Sequence, residues 1–184
     1  MSRILAITGS LRRESSNTAL LKAAAALAPP GTEITLYEGL GDLPHFNPDL
    51  EANEPRAVTD LRARIRAADG LLISSPEYAH GVPGVLKNAL DWASRPLAES
   101  PVLNKPVAVL SSSTGMFGGV WAAAETRKVL GALGARTLED TVAVPKAHER
   151  LANGVDATLL DELRTVVDAL ATAVRAREMA QAAA

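Results

Sequence analysis

Short apolar runs alternate with amphipathic stretches along most of this chain. Residues 4–8, Ile-Leu-Ala-Ile-Thr, are such a run and predict a first strand. A polar loop, 9–15, follows, and then an Ala- and Leu-rich helix over 17–28, stopped by Pro29-Pro30-Gly31. Residues 33–37 alternate and predict a second strand. Residues 38–55 contain Gly39, Gly41, Pro44, Pro48 and Pro55 and read as one long loop, of the kind that often carries function. Val58, Leu61 and Ile65 sit at helical spacing within 56–68, and 70–75 is a third apolar strand. A second polar loop, 76–83, leads into a helix over 84–94. Strand 107–111, a Ser- and Gly-rich loop over 112–119 and a helix to about Leu133 come next, then strand 136–144. Leu159, Leu160, Leu163, Val166, Val167, Leu170 and Val174 mark a last amphipathic helix. The tail, 179–184, is expected to be disordered.

Five alternations of strand and helix, with the strands as short apolar runs, predict a parallel sheet covered by helices on both faces. Five strands favour a flavodoxin-like doubly wound α/β fold over the six-stranded dinucleotide fold. No repeat, linker or shift in composition divides the chain, so residues 1–184 are expected to form one domain.

Composition removes several chemistries. The chain has no Cys, which excludes disulfides, thiolate metal sites and thiol nucleophiles. His45, His80 and His148 are too scattered for a metal motif. With 19 Lys and Arg against 21 Asp and Glu, the net charge is −2, and no basic excess favours nucleic acid. No apolar run resembles a signal peptide or a membrane span, so a cytoplasmic protein is the expectation.

Ligands of open α/β sheets bind beyond the carboxyl ends of the strands, so the three polar loops there are the place to look. The first, Gly9-Ser10-Leu11-Arg12-Arg13-Glu14-Ser15-Ser16-Asn17, runs into a helix N-terminus. Unpaired N–H groups, hydroxyls and the Arg12 guanidinium suit a terminal phosphate monoester. Ser16 or Asn17 could equally be an ordinary helix cap. Neither Gly-x-Gly-x-x-Gly nor Gly-x-x-x-x-Gly-Lys-Ser/Thr occurs, so a mononucleotide fits better than a dinucleotide or a P-loop substrate. In the second loop, Pro76-Glu77-Tyr78-Ala79-His80-Gly81, a backbone stiffened by Pro and Gly can hydrogen-bond the edge of a flat heterocycle, with Tyr78 as a stacking face. A rigid turn with Tyr78 packed on the core is the plainer reading. The third loop, with Ser112, Ser113 and Gly115, can line the other side of such a ring or be a simple Ser/Gly turn. No Gly-x-Ser-x-Gly elbow supplies a nucleophile, and His148 reads as a solvated loop residue.

Gly9-Ser10-Leu11-Arg12 with Ser16-Asn17, followed by Pro76-Glu77-Tyr78 and Pro83-Gly84-x-Leu86-Lys87-Asn88-x-Leu90-Asp91-Trp92, resembles the NADPH-dependent FMN reductase family, which includes chromate, quinone and azo-dye reductases. The resemblance runs from about Arg3 to Leu133. It implies bound FMN, NADPH or NADH as electron donor, a small-molecule acceptor, and a homodimer or homotetramer. By the same resemblance, Ser10, Arg12, Ser16 and Asn17 hold the phosphate, with Leu11 between them, and Glu77, Tyr78, Ala79 and His80 run along the flavin ring, with Ser113 nearby. No acid–base side chain is then required, because flavin N5 takes the hydride and positioning carries the rate. Two other readings are an electron carrier of the flavodoxin type, which the mild net charge disfavours, and a flavin-free interaction or regulatory domain. For the oligomer, Val85 and Trp92 lie seven apart on helix 84–94, away from the stripe of Leu86, Ala89, Leu90 and Ala93. They predict a second apolar face, with Trp92 as an interface anchor; the alternative is that Trp92 folds under loop 38–55.

Overall fold

In the computed structural model, which describes residues 1–96 and 99–183, five parallel strands form one sheet in the order β2-β1-β3-β4-β5. The strands are β1 (Ser2–Thr8), β2 (Thr32–Tyr37), β3 (Gly70–Ser75), β4 (Pro106–Ser112) and β5 (Arg136–Val144). The helices are α1 (Ser16–Ala26), α2 (Arg56–Ala67), α3 (Gly84–Ala93), α4 (Val120–Ala132), the four-residue α5 (Ala147–Arg150) and α6 (Ala157–Ala182). The order is the flavodoxin-like one, and the strand order reverses between β1 and β3.

Successive side chains of a strand point to opposite faces, and the two cores follow from that period. Leu5, Ile7, Leu71, Ile73, Val107 and Val109 face one way and pack with α2, α3 and α4. Ile4, Ala6, Leu72, Ala108 and Leu110 face the other way, against α1 and α6. Every residue of β3 and β4 is buried, as central parallel strands require. The amphipathic pattern of α6 is realised by Leu159, Leu163, Val166, Val167, Leu170 and Val174, all buried, with Leu160 only partly so, and Asp156 caps its start by accepting from the Leu159 N–H at 2.8 Å.

Two expectations are corrected. The helix α6 continues through Ala182, so Met179 onward extends it rather than fraying; Ala184 lies outside the described residues. Trp92 is fully buried within the chain and anchors no external face. Its indole N–H donates to the Pro44 carbonyl at 2.8 Å, and its ring meets Phe46 edge-on at 5.0 Å. Asn88 adds two bonds to the same segment, donating to the Pro44 carbonyl at 2.9 Å and accepting from the Phe46 N–H at 2.7 Å. Residues 38–55, which contain two short 3₁₀ turns (Gly39–Asp42 and Pro48–Asn53), thus form a cover over α3. The stripe of Leu86, Ala89, Leu90 and Ala93 is buried as expected.

Candidate functional site

Strand register brings the three polar loops together. Thr8 lies beside Ser74, Ser75 beside Ser111, and Ser112 beside Val144, so β1, β3 and β4 end at one level. The first loop winds on its own hydroxyls. The Ser10 N–H donates to Thr8 Oγ1 at 3.3 Å, and the Arg12 N–H to Ser10 Oγ at 3.3 Å. Ser15 caps α1, accepting from the Thr18 N–H at 3.3 Å. No acceptor for the N–H of Ser16 or Asn17 occurs among the described residues, so two donors at a positive helix end are available to an anion.

Asn17 sits at the centre, 2% exposed. Its Nδ2 donates to the Ser112 carbonyl at 3.1 Å, and its Oδ1 accepts from Ser74 Oγ at 2.8 Å and from the Ser112 N–H at 3.1 Å. That carboxamide is committed to tying α1 to the ends of β3 and β4. Beside it, the Ser16 and Ser112 hydroxyls are 2.8 Å apart.

A cavity of about 110 Å³ opens here. Ser10, Arg12, Ser16 and Asn17 line it from the first loop, Pro76, Glu77 and Tyr78 from the second, and Ser112 and Ser113 from the third. Ser15, one of the first-loop hydroxyls expected to donate there, lines it too, as does Thr114, which the sequence reading places only within the third loop. This small, partly open space admits a phosphate group but not a flavin ring, which would lie outside it along the loop rims. Hydroxyls, the Arg12 guanidinium and a helix N-terminus are the donor set that a phosphate monoester needs, and the residues present fit FMN. Leu11, Ala79, His80, Gly81 and Gly115 are not on this cavity; Leu11, Ala79 and His80 stand exposed around it.

The second loop is braced from α4. Glu77 Oε2 accepts the N–H groups of Trp121 and Ala122, both at 3.1 Å, and so caps that helix from another loop. Glu125 Oε2 accepts the Val82 N–H at 2.7 Å. Between these two ties the chain makes a tight turn in which Tyr78 and Gly81 exchange backbone bonds and Ala79 and His80 both take positive φ, 50° and 58°. Two consecutive non-glycine residues in this region store backbone strain at the rim. Tyr78 is 53% exposed, so its ring is not part of the core.

The third loop is fixed at its far end. Gly118 has φ +64°, and a Cβ there would come within 2.8 Å of the Val144 and Pro145 backbone, so only glycine fits. Next to it Met116, Phe117, Val120 and Trp121 are exposed, with Trp121 edge-on to both Phe117 (5.0 Å) and His80 (4.9 Å). His148, expected on a solvated loop, is on α5 and borders a larger cavity beside α1. Among the described residues no helix is long and apolar enough to cross a membrane, and no cluster of three metal-ligating side chains occurs.

A flavodoxin-like sheet with a small, hydroxyl-lined cavity at its switch point has the architecture of a mononucleotide-binding protein and fits flavin mononucleotide. Residues 2–149 match the sequence profile described as NADPH-dependent FMN reductase, and the chain belongs to that family. It is 46% identical over 129 residues to an NAD(P)H-dependent FMN reductase of Pseudomonas aeruginosa, covering 70% of this chain and 69% of that protein. It is 37% identical over 130 residues to a quinone reductase of Escherichia coli K12, with the same coverage of 70% and 69%. Among solved structures, the flavoenzyme NAD(P)H:acceptor oxidoreductase FerB of Paracoccus denitrificans superimposes with a TM-score of 0.86 at 33% identity, over 95% of this chain and 98% of that one. The protein is therefore an oxidoreductase that works with FMN and a nicotinamide donor.

Proposed function

We propose that the protein passes electrons from NAD(P)H to a small diffusible acceptor of the quinone type. FMN, held by its phosphate at Ser10, Arg12, Ser16 and the start of α1, would supply the redox chemistry, net transfer of a hydride from the nicotinamide and of two electrons with two protons, one of them from solvent, to the quinone. Azo and nitro compounds, metal oxyanions and free flavin are further acceptors that an open flavin edge admits. The observation that carries the reading is the join between a small, hydroxyl-lined cavity and an open, braced rim.

Each part of this chain has its task. Ser10, Arg12 and Ser16, with the N–H groups of Ser16 and Asn17, bind the phosphate. The Asn17 side chain acts as a positioning group that holds the three loops in register. The rim from Pro76 to Gly81 presents backbone N–H and C=O groups to the ring edge, and Ser112, Ser113 and Gly115 face it from the other loop. The strain at Ala79 and His80 is held by Glu77 and Glu125, so the rim is preorganised. No side chain is asked to move a proton.

The exposed face of Met116, Phe117, Val120 and Trp121 supports a homo-oligomer built on the start of α4 rather than on Trp92. A second copy would cover these apolar side chains where they border the flavin rim. Sedimentation equilibrium tests this part, with Trp121→Glu expected to yield monomers.

The reading as a whole is tested by anaerobic addition of NADPH to the purified yellow protein, followed by one equivalent of 1,4-benzoquinone. The flavin absorbance should bleach and then return within mixing. A flavin that NADPH leaves oxidised would place the protein among electron carriers, and a colourless protein that binds no FMN would remove the enzyme reading.

A further inference from the structure

A second cavity, about 470 Å³, lies between α1 and α5 and shares Arg12, Ser15, Ser16 and Thr114 with the smaller one. We propose that it takes the 2′-phosphoadenosine end of the nicotinamide donor. The proposal rests on the flavin reading above and adds what recognises the donor.

Charge is the first argument. Arg13, Lys22 and His148 stand on its wall in addition to Arg12, against one carboxylate, Glu14. Arg12 is shared with the flavin phosphate, and His148 is offset by Glu149 at 3.4 Å. Arg13 and Lys22 form no salt bridge among the described residues. Arg13 and Lys22, opposed by Glu14 alone, therefore leave a net positive charge for a further anion once the flavin phosphate is in place.

Size and lining are the second argument. Ligand cavities run from roughly 300 to 1,000 Å³, and a lone inorganic anion fills far less. Ala19 on α1, and Ala147, Leu151 and Ala152 at and just after α5, give this cavity apolar lining against which a purine ring can pack. Apolar lining mixed with cations suits a phosphorylated adenosine. Sites that read the free 2′-hydroxyl of a dinucleotide place a carboxylate there, whereas sites for the 2′-phosphate place an arginine. The balance of charge here is the second kind.

Contiguity is the third. The shared residues put the two cavities on either side of the first loop. A donor with its nicotinamide on the flavin ring and its adenosine beyond that loop would lie along the length of the flavin. Arg13 and Lys22 would then set the preference for NADPH over NADH.

The experiment titrates the FMN-loaded protein with 2′,5′-ADP and, separately, with 5′-ADP, in the parent and in Lys22→Glu. The parent should bind 2′,5′-ADP the more tightly and show competitive inhibition against NADPH. Lys22→Glu should lower that affinity about tenfold or more, as the loss of one charged contact predicts. It should also lower the ratio of kcat/KM for NADPH to that for NADH. Equal binding of the two nucleotides, or an unchanged affinity in Lys22→Glu, overturns the proposal. FMN affinity is measured on the same samples. If FMN binds the parent and 2′,5′-ADP does not, only the donor site fails; if FMN itself does not bind, the flavin reading fails.

Discussion

Glu77 and Trp121 are 44 positions apart, yet the Glu77 carboxylate accepts the Trp121 backbone N–H at 3.1 Å and the next N–H as well. The loop that would border the flavin and the helix that carries the exposed aromatic face are thereby one unit. A charged acceptor at a helix start is worth about 1–2 kcal/mol. Glu77→Ala is expected to destabilise the apoprotein by that amount in urea unfolding and to weaken FMN binding as the rim loosens. Glu77→Gln, which keeps an acceptor without the charge, should fall between the two.

Trp92 offers a test of where α3 spends its second face. Its side chain is fully buried and bonded to Pro44. Trp92→Ala should cost about 3–5 kcal/mol in equilibrium unfolding, the usual cost of emptying an aromatic site. Trp92→Phe should cost less, because Asn88 still donates to the Pro44 carbonyl. An interface anchor would behave differently, with the effect appearing in sedimentation and little change in monomer stability.

At Ala79 the backbone asks for a residue that tolerates φ of 50°. Ala79→Asn keeps the turn and relieves strain, and should raise the unfolding free energy by about 1 kcal/mol. An unchanged midpoint in denaturant would mean that the turn relaxes without cost.

Lys105 sets a pH dependence far from the site. It is 4% exposed, and its ammonium donates to the Ala68 carbonyl. Burial first, then the Arg177, Arg3 and Arg66 charges, lower its pKa from 10.5 to about 8, with Asp69 opposing. Below pH 8 both folded and unfolded chains keep this proton, and the cost of burying the charge is fully present. Between about 8 and 10.5 the folded chain releases it while the unfolded chain holds it, so this group makes stability rise with pH. Tyr37, whose pKa burial raises above 10.0, opposes that trend at the upper end. The difference between parent and Lys105→Met, measured by urea unfolding from pH 7 to 10, should isolate the rise; parallel profiles would contradict it.

How much of this could be read from the chain follows from the range of each interaction. Strand β3 has the bounds that its apolar run predicts, β5 has its expected bounds although its first half is mostly polar and largely exposed, and the other three strands differ by one or two residues at their ends. Burial on both faces leaves a local pattern, and so does an Ala- and Leu-rich helix ended by Pro-Pro-Gly. The three loops were legible for the same reason. What each polar side chain does inside them was not. The residue types at Asn17 and Glu77 announce hydrogen bonding, but only the fold shows that Asn17 is committed to Ser74 and Ser112 and that Glu77 reaches α4. Trp92 went to the wrong face because periodicity on α3 says that two sides are apolar, not what covers the second. The cover is Pro44 and Phe46, almost fifty residues earlier, in a segment with no period of its own. Thr114 differs from its polar neighbours only in where the loop turns it.

The affinity of the apoprotein for FMN compared with riboflavin is the most direct measurement of the central claim, that this protein holds its flavin by the phosphate at the ends of β1, β3 and β4. One or two charge-assisted hydrogen bonds, at about 1.5–3 kcal/mol each, predict that FMN binds at least about a hundredfold more tightly. Arg12→Ala with Ser16→Ala should remove most of that difference while leaving riboflavin binding in place. Equal affinity of the parent apoprotein for FMN and riboflavin would contradict the account.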